Sequence, residues 1–534
     1  MVQPQPRTVK TDPEEMPLTA CYGATKVSFS VEPLSALNSY KGDCVVFVCR
    51  GSLPSEAAEF DAQRGGLLAG ALAESDFKGD AGCVICPLAP DTFYPSLFDG
   101  DGPRYLCAVG VGEHKTFDAT VVGTAVAAAL REKNKLTSVA LYIPDLCQGC
   151  PCPEAPKVFA RKLQAVLETI LVELNADNRF KGTGTKNPKS SSLERLTIFT
   201  ANEEGTRVVL NSARLVAGGI HLARELVNAP ANVCTTVTLA KAAEKVAAEG
   251  GLECKILGQS EAEALGMGCY LSVAKGSMYP PQFIHLTYKP PGVCKKKLAF
   301  VGKGLCFDSG GYNIKRAETN IDLMKFDMGG AAAVLGAAKA IASLKPEDVE
   351  VHFISAAAEN MVSSRSYRPG DVITASNGKT VEVGNTDAEG RLTLADALVY
   401  AEKLNVDVIV DVATLTGACI IALGESYAGL FSPDDTLAEE VLKCADRSCE
   451  RLWRMPFVPR YRDLLDSKCA DLNNVATKGK GGGAITAAVF LKEFVDKTPW
   501  AHIDIAGPAW CSKSSSGTGY GVRTLVELAL SATK

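Results

Sequence analysis

Apolar residues recur along this chain with two different periods, and the alternation of these periods predicts an α/β fold. Short runs of apolar and β-branched residues, typical of buried strands, lie between longer segments whose apolar residues recur every three or four positions, typical of helices. In the first two hundred residues the predicted strands are 26–31, 44–49, 105–111, 138–142 and 195–199, and the predicted helices are 117–132 and 157–177. Such alternation is characteristic of a layered α/β structure.

A second block with the same alternation follows a long predicted helix, residues 204–228, which ends before Ala229-Pro230 because proline cannot continue a helix. Its predicted strands are 283–288, 298–301, 349–356, 408–412 and 501–505, and its predicted helices are 239–248, 329–343, 392–404, 436–450 and 484–495. Polar residues cluster at the ends of these strands, where ligands bind in open α/β sheets.

The two blocks predict a division of the chain into domains. The expected parts are a flexible tail (1–25), an N-terminal α/β domain (26–203) with insert loops near 145–156 and 181–192, a connecting helix (204–228) and a C-terminal domain (229–534). The first insert loop contains three cysteines, which leaves a plain surface loop, a zinc site or a redox pair as alternatives.

Composition places the chain among ordinary globular proteins and excludes several function classes. Of its 534 residues 46% are hydrophobic and 22% charged, and the net charge of −5 comes from interspersed charges. This balance argues against a nucleic-acid partner. No apolar run reaches the roughly 18–20 residues that a membrane helix needs. The N-terminus lacks an apolar secretory segment, and the 19 cysteines are scattered through apolar segments, so we expect reduced thiols and a cytoplasmic location.

One polar stretch, residues 385–391, carries the strongest chemical signal. Asp387, Glu389 and Arg391 are spaced at i, i+2 and i+4, which places them on one face if the segment is extended. A predicted helix begins near Gly390, and a helix N-terminus favours anions. Acidic groups beside a cation and a helix start suggest a metal site with a catalytic anion.

A second stretch supplies further candidates. Lys303 and Asp308 are expected in a glycine-rich turn after strand 298–301, Lys315 follows, and Asp327 precedes the next helix. A single aspartate at a helix start is usually a cap, but a whole set of such groups at element ends points to a site. Carboxylates suit hard or borderline divalent ions and can bridge two of them. Beside such ions Lys303 could ligate as a neutral amine, while Lys315 could stay charged and act as an electrophile.

Other catalytic motifs are weak. The five histidines are scattered and form no H-E-x-x-H. Residues 424–428 match a nucleophile elbow with one mismatch, and residues 110–112 lack the third glycine of a dinucleotide fingerprint. The glycine-rich stretch 478–483 is not a P-loop, and we expect it to line the pocket.

The segments quoted above closely resemble the leucyl aminopeptidase family of hexameric two-metal exopeptidases. The strongest match is 385–391, continuing through residue 398, and the segments 301–311, 327–332 and 412–417 agree as well. The resemblance covers roughly residues 204–534. It implies two domains: a smaller N-terminal α/β domain and a larger C-terminal catalytic α/β domain with a mixed central sheet.

The resemblance also implies roles for individual residues. The metal ligands would be Lys303, Asp308, Asp327, Asp387 and Glu389, with Asp308 and Glu389 contacting both ions. Lys315 would polarise the scissile carbonyl, and Arg391 would hold a bicarbonate ion. The pocket for the first side chain of the substrate would be lined by Met324, Thr414, Leu415, Gly417, Ala506 and Ala509. The ions would be zinc or manganese, with cobalt or magnesium also compatible with such ligands.

We therefore expect a homohexameric metallo-aminopeptidase that removes leucine-like residues from peptides with a free N-terminus. Two alternatives stay open at this level. One is a binding or regulatory protein on the peptidase fold, since some members of the family bind DNA, and fold alone does not fix function. The other is a two-metal hydrolase of a different amide or ester, such as Cys-Gly dipeptides.

Overall fold

The computed structural model describes residues 27–85, 103, 105–112, 117–132, 136–144, 154–175, 177–182, 184–185, 193–479 and 481–533. The predicted tail and most of the two insert loops lie outside these residues. The described chain forms two compact units, a smaller one within residues 23–217 and 447–449 and a larger one within 218–446 and 450–534. The expected two-domain α/β fold is confirmed, and the individual domain limits stay predictions.

The smaller unit contains a six-stranded sheet in the order β1-β6-β5-β2-β4-β3, in which only β3 runs antiparallel to its neighbour. Parallel strands are covered on both faces, which explains why Cys44–Cys49 is a continuous apolar run and is buried throughout. Phe47 packs against Phe60 and Tyr142 in the core. The strands are β1 Ser28–Pro33, β2 Cys44–Cys49, β3 Val84–Ile85, β4 Tyr105–Gly110, β5 Ser138–Tyr142 and β6 Arg195–Thr200, and the helices are α1 Ser55–Ala62, α2 Leu67–Glu74, α3 Ala119–Glu132 and α4 Ala155–Glu173, followed by α5 Glu203–Asn228, within which the two units divide.

The larger unit contains a mixed eight-stranded sheet in the order β15-β14-β17-β13-β9-β10-β8-β7. Its strands are β7 Glu253–Leu257, β8 Gln282–Tyr288, β9 Lys296–Asp308, β10 Val349–Asn360, β13 Val408–Ala413, β14 Ala428–Phe431, β15 Leu452–Arg454 and β17 Trp500–Asp504. Strand β9 pairs in parallel with β10 and β13, while β8 pairs antiparallel with β10 and β7, as β14 does with β17. The expected mixed central sheet is therefore confirmed.

Two small sheets and nine further helices complete the described part of this unit. The small sheets contain β11 Val372–Thr374, β12 Thr380–Glu382 and β16 Leu472–Asn473 in one case and β18 Trp510–Cys511 and β19 Ser516–Gly517 in the other. The helices are α6 Thr236–Gly250, α7 Gln259–Ala264, α8 Gly268–Ala274, α9 Gly329–Leu344, α10 Gly390–Glu402, α11 Gly417–Leu423, α12 Asp435–Arg447, α13 Gly483–Lys492 and α14 Val522–Ser531, with 3₁₀ turns at Ala317–Thr319, Ile321–Phe326 and Pro459–Leu465. The smaller unit has a 3₁₀ turn at Leu34–Ser39. In the part of the chain that the structure describes, no helix has the length and apolar character that crossing a membrane requires.

The prediction of a glycine-rich turn after residue 301 is wrong, because β9 continues to Asp308 and carries Lys303 within it. The glycines at 302 and 304 leave room for atoms of the neighbouring elements that pack closely against β9. A Cβ atom at Gly302 would lie 2.5 Å from the carbonyl oxygen of Gly330, and one at Gly304 would lie 2.5 Å from Ser355 Oγ. The turn begins only at Gly310 and Gly311, whose φ angles of 84° and 63° favour glycine.

The segment before α10 is a turn and not an extended strand. Ala388 N donates to Asn385 O at 3.3 Å, and Glu389 has helical backbone angles of φ −76° and ψ −37°. The expectation that Asp387, Glu389 and Arg391 lie on one face of an extended segment is therefore wrong. The helix predicted at 392–404 is present as α10, Gly390–Glu402, two residues earlier than expected, and Arg391 lies in its first turn.

Candidate metal centre

Strand ends and helix starts bring the carboxylates of the larger unit together. Asp308 is the last residue of β9, Asp327 lies between the 3₁₀ turn and α9, and Glu389 directly precedes α10. One oxygen atom from each of these three buried residues lies within 4.8 Å of the other two. Three convergent carboxylates in a buried site favour a divalent cation with oxygen ligands.

Lys303 crosses the middle of this cluster. Its Nζ atom lies 2.7 Å from Asp327 Oδ1 and 3.0 Å from Glu389 Oε1, and it donates to the carbonyl oxygen of Thr414 at 3.0 Å. The side chain passes directly over Gly390, where an added Cβ would lie 2.6 Å from Nζ. The glycine at the start of α10 therefore makes room for the lysine.

Lys315 lies at the more accessible side of the cluster. Its Nζ atom lies 2.9 Å from Asp308 Oδ2 and 2.5 Å from Asp387 Oδ1. The Asp387 side chain is 31% exposed, whereas that of Asp308 is 2% exposed. Lys315 and Asp387 therefore form the more solvent-accessible edge of the cluster.

The charges in the cluster do not balance, because four carboxylates face two lysines. Burial and the charge of Glu389 raise the pKa of Asp308 to about 7, in spite of Lys315 and Lys303. Burial, followed by the charges of neighbouring carboxylates, also raises the pKa of Asp327 well above its usual value, although Lys303 opposes this shift. The excess of negative charge is the electrostatic condition that a bound dication relieves.

The two lysines are held in their charged forms, because the neighbouring carboxylates raise their pKa values. Burial alone would lower the pKa of the Lys303 ammonium, but Asp327, Glu389 and Asp308 outweigh it and raise the pKa above its usual value. The pKa of Glu389 is lowered, because the charges of the lysines outweigh its burial. Each lysine thus holds a positive charge among the carboxylates.

Two oxygen atoms of the cluster show that its donors fit a cation. Asp327 Oδ2 and Glu389 Oε2 are buried without a hydrogen-bond partner among the described residues. A buried carboxylate oxygen without a donor is costly. Because both atoms belong to residues already grouped around one space, a cation that accepts their lone pairs would satisfy them together.

Arg391 lies beside the cluster in the first turn of α10. Its Nη1 atom donates to the carbonyl oxygen of Asn474 at 2.6 Å, while its Nε atom is buried with no hydrogen-bond partner in the described structure. Burial lowers the pKa of the guanidinium to about 10. A buried guanidinium with an unused donor at a helix N-terminus is suited to an anion.

The predicted pocket residues lie around Asp327 and the loop after β13. Thr414 donates Oγ1 to Asp327 Oδ1 at 2.8 Å, and the carbonyl oxygen of Met324 accepts from Asp327 N at 3.2 Å. A Cβ at Gly329 would lie 3.1 Å from Thr414 Cγ2 and 3.5 Å from Ala509 Cβ, so these side chains flank the start of α9. They are small or apolar groups next to the buried carboxylates.

The other pocket residues are tied to one buried carboxylate. Asp504 Oδ1 accepts from Leu415 N at 3.2 Å and from Ala506 N at 3.1 Å, and Asp504 Oδ2 accepts from Thr416 Oγ1 at 2.7 Å. Gly417 begins α11, and a Cβ there would meet no described atom within 4 Å. Asp504 therefore holds the loop 414–417 to the residues after β17.

Sequence reasoning missed three buried polar residues that shape the site. Asn360, the last residue of β10, donates Nδ2 to Asp308 Oδ1 at 2.8 Å and to Thr386 O at 2.9 Å. The other two are Asn474 and Asp504. Each lies at or just after the end of a strand, and one amide or carboxylate there carries no spacing pattern that would distinguish it from ordinary polar residues.

The weaker sequence motifs lie elsewhere or stay untested. Residues 424–427 connect α11 to β14, so Ser426 does not stand on a strand-to-helix elbow. The three cysteines of the 145–156 loop lie outside the described residues. Of the stretch 478–483, Lys478, Gly479, Gly481 and Gly482 precede α13, Gly483 begins it, and Lys480 lies outside the described residues.

Fold and site together define a class: a two-domain α/β protein whose larger unit holds a buried carboxylate–lysine cluster suited to divalent cations, as in metal-dependent hydrolases. The chain belongs to the cytosol aminopeptidase family, whose catalytic-domain model matches residues 221–526. It is thus a metal-dependent aminopeptidase.

Known relatives agree over most of the chain. A "Probable cytosol aminopeptidase" of Cyanothece sp. is 48% identical over 487 residues, which are 90% of this chain and 94% of the relative. A protein of the same name from Nostoc punctiforme is 49% identical over 483 residues, with the same coverage of 90% and 94%. A solved structure of a mutant tomato leucine aminopeptidase superposes with a TM-score of 0.83 at 41% identity, covering 95% of this chain and 97% of that one.

Proposed function

We propose that this aminopeptidase removes leucine-like N-terminal residues from peptides by a two-metal mechanism with bicarbonate as the base. The observation that carries the proposal is the buried group of carboxylates around Lys303, which has an excess of negative charge and two unpartnered oxygen atoms. The leucine preference is supported by the structural similarity to a leucine aminopeptidase.

The metal site is proposed to contain two divalent cations held by Lys303, Asp308, Asp327, Asp387 and Glu389. The cations would bind the free α-amine of the substrate and supply a water activated at neutral pH. Zinc, manganese, cobalt and magnesium are all compatible with these ligands. An internal peptide bond has no free amine, and this explains why such a site would act only at the N-terminus.

Lys315 is proposed to stabilise the negative charge that develops on the scissile carbonyl oxygen. Its ammonium lies at the open side of the cluster, 2.9 Å from Asp308 Oδ2. Burial lowers its pKa, but the charges of Asp308, Glu389 and Asp387 outweigh burial and raise it, so the group is charged at neutral pH. A preorganised cation at this position acts mainly in the transition state.

Arg391 is proposed to hold the bicarbonate that accepts the proton of the attacking water. The unpartnered Nε atom and the adjacent N-terminus of α10 both support an anion at this position. Among the described residues within the cluster, every carboxylate is assigned to a cation, Lys303 would use the lone pair of its neutral amine on a cation, and Lys315 is charged. A base supplied from solution is therefore consistent with the geometry.

The side-chain pocket is proposed to be lined by the residues around loop 414–417. Met324, Leu415, Ala506 and Ala509 are apolar, Gly417 leaves open space, and Thr414 uses its hydroxyl on Asp327. A pocket without a charged side chain favours an aliphatic residue such as leucine. The excess binding free energy would be about 1–3 kcal/mol for each methylene group that fits.

The proposed assembly is a cytoplasmic homohexamer. It rests on the family resemblance, and light scattering would show a particle of about six times the chain mass of 56.3 kDa. A DNA-binding role is a second possibility known from other family members, and the net charge of −5 argues against it.

The test is hydrolysis of leucyl-anilide and of its N-acetylated form by chelated enzyme, before and after addition of manganese or zinc with bicarbonate. We expect cleavage of the free-amine substrate alone, and only with metal. Cleavage of both substrates would point to a different amide hydrolase, and no cleavage with either metal would contradict the proposal. Cys-Gly in parallel measures how far specificity extends beyond leucine.

A further inference from the structure

A buried asparagine connects the strand β16 to the segment that carries Asp387, Glu389 and Arg391. Asn474 directly follows β16 and is fully buried. Its own backbone N–H donates to the carbonyl oxygen of Glu382 at 3.1 Å, which fixes it to the end of β12. The residue therefore stands on the small sheet and faces the turn before α10.

The carboxamide of Asn474 is used completely on that turn. Its Oδ1 accepts from Gly384 N at 2.8 Å and from Asn385 N at 3.2 Å. Its Nδ2 donates to Asn385 O at 2.7 Å and to Ala388 O at 3.3 Å. An asparagine amide offers two donor hydrogens and one acceptor oxygen with two lone pairs, so no hydrogen-bonding capacity is left over.

The backbone of the same residue reaches Arg391. The carbonyl oxygen of Asn474 accepts from Arg391 Nη1 at 2.6 Å. The turn that carries Asp387 and Glu389 and the guanidinium of Arg391 are thus both attached to one residue. Their relative position depends on how firmly the Asn474 side chain holds the turn.

We propose that Asn474 is a positioning residue for catalysis, which sets the geometry of the 384–389 turn relative to Arg391. This rests on the proposed roles of Asp387, Glu389 and Arg391. Misplacement of reacting groups by about 1 Å can cost on the order of 10²-fold in rate, and groups that orient metal ligands typically matter by about 10–100-fold. Loss of the side chain is therefore expected to act on turnover more than on folding.

The neighbouring Asn473 provides a matched control. It is buried, is the last residue of β16, and its Oδ1 accepts from Val475 N at 3.1 Å. Replacement of either asparagine by alanine removes the same group from adjacent buried positions. Only Asn474 bonds to both Asn385 and Ala388.

The experiment compares Asn474→Ala and Asn473→Ala in the full chain. Hydrogen exchange of the metal-free proteins is measured by mass spectrometry, and kcat, KM and bound metal are measured after loading with manganese. For Asn474→Ala we expect at least ten-fold faster exchange at the amides of Gly384 and Asn385 and unchanged exchange in β9 and β10. We also expect a 10–100-fold lower kcat with KM within about three-fold of wild type. Asn473→Ala should keep the wild-type kcat.

If Asn474→Ala does not fold, the nearly isosteric Asn474→Asp, which loses both donor hydrogens, is measured with the same expectation. The proposal is overturned if the metal-loaded Asn474 variant turns over like wild type, or if Asn473→Ala shows the same loss of kcat and the same faster exchange. Wild-type enzyme assayed in parallel separates this result from failure of the proposed function, because the latter leaves wild type itself inactive on leucyl-anilide.

Discussion

At the scale of single residues, Lys315 offers the most direct test of a catalytic role. It contacts Asp308 and Asp387 but contributes no atom to the three-carboxylate group. We expect Lys315→Ala to fold and bind metal, while kcat falls by about 10²–10³-fold, because one preorganised charge is lost in the transition state. Steady-state kinetics and metal analysis of the purified variant test this. Wild-type turnover in Lys315→Ala would exclude the role.

Gly390 is the second residue that can be tested, because a side chain at this position would collide with Lys303. A Cβ there would meet the Lys303 side chain, which is fixed by Asp327 and Thr414 and cannot simply move aside. We expect Gly390→Ala to weaken metal binding by about 10–100-fold, measured by competition with a fluorescent chelator. Gly70→Ala, in an open helical position, is the control. Equal metal affinity in both variants would show that Lys303 is not held as described.

Some residues of the site could be predicted from the sequence, and others could not. All five candidate ligands lie within one cluster in the folded chain. The four carboxylates were recognisable because they lie at or beside the ends of strands and helices, whereas Lys303 lies within β9 and was selected through a turn that the fold does not contain. Asn360, Asn474 and Asp504 were not recognisable. Their importance comes from hydrogen bonds to residues between 26 and 90 positions away in sequence, such as those from Asn474 to the 384–388 turn.

At the scale of elements, the sheet of the larger unit contains a buried histidine pair. His285 on β8 and His352 on β10 are joined by a contact of 2.9 Å between Nε2 and Nδ1, and His352 Nε2 lies 3.1 Å from Glu350 Oε1. Burial lowers the pKa of His285 to about 4, and burial also lowers that of His352. Both rings are therefore neutral in the folded protein at neutral pH.

This pair predicts a loss of stability in mild acid. The unfolded histidines have pKa values of about 6.5, so the unfolded chain binds protons first as the pH falls. The stabilisation is present above pH 6.5 and is lost as the pH falls towards 4. Urea unfolding of wild type and His285→Gln between pH 7.5 and 5 tests this, and the variant should show a smaller decrease. The raised pKa of Asp308 has the opposite effect on the pH dependence of stability. Asp308 is present in both proteins, so its contribution cancels in the comparison. Identical pH dependence would contradict the assignment.

Elements were predicted well where apolar periodicity was strong and poorly where glycine interrupted it. Strands β2 and β5 coincide with their predictions because they are continuous buried runs. Strand β9 was cut short at residue 301, because its glycines were interpreted as a turn. In the fold they are needed where Gly330 and Ser355 approach the strand, a contact that local sequence does not reveal.

At the scale of the whole molecule, metal binding should be coupled to the stability of the larger unit. All five candidate ligands belong to that unit, and a ligand that binds only the folded state stabilises it by about 3 kcal/mol at a hundred times its Kd. Chelation should therefore lower the melting temperature of the larger unit by several degrees in calorimetry. An unchanged melting curve would contradict the coupling.

The general architecture was predictable because alternating periods define α/β layers, and the mixed character of the sheet came from the family resemblance. Pairing order was not predictable from the pattern. Neighbouring strands such as β9 and β13 are about a hundred residues apart, and their pairing is decided by packing over that distance. For the same reason the small sheet β11-β12-β16, which carries Asn474 at its end, was not anticipated.

If the carboxylate–lysine cluster holds two catalytic cations, the number of cations bound per chain will show it. Chelated enzyme is titrated with manganese by calorimetry, and bound metal is counted by emission spectroscopy, for wild type, Glu389→Gln and the exposed control Glu439→Gln. We expect two cations per chain in wild type and Glu439→Gln, and loss of both cation binding and activity in Glu389→Gln. Wild type without bound cations, or Glu389→Gln with two cations at unchanged affinity, would contradict it.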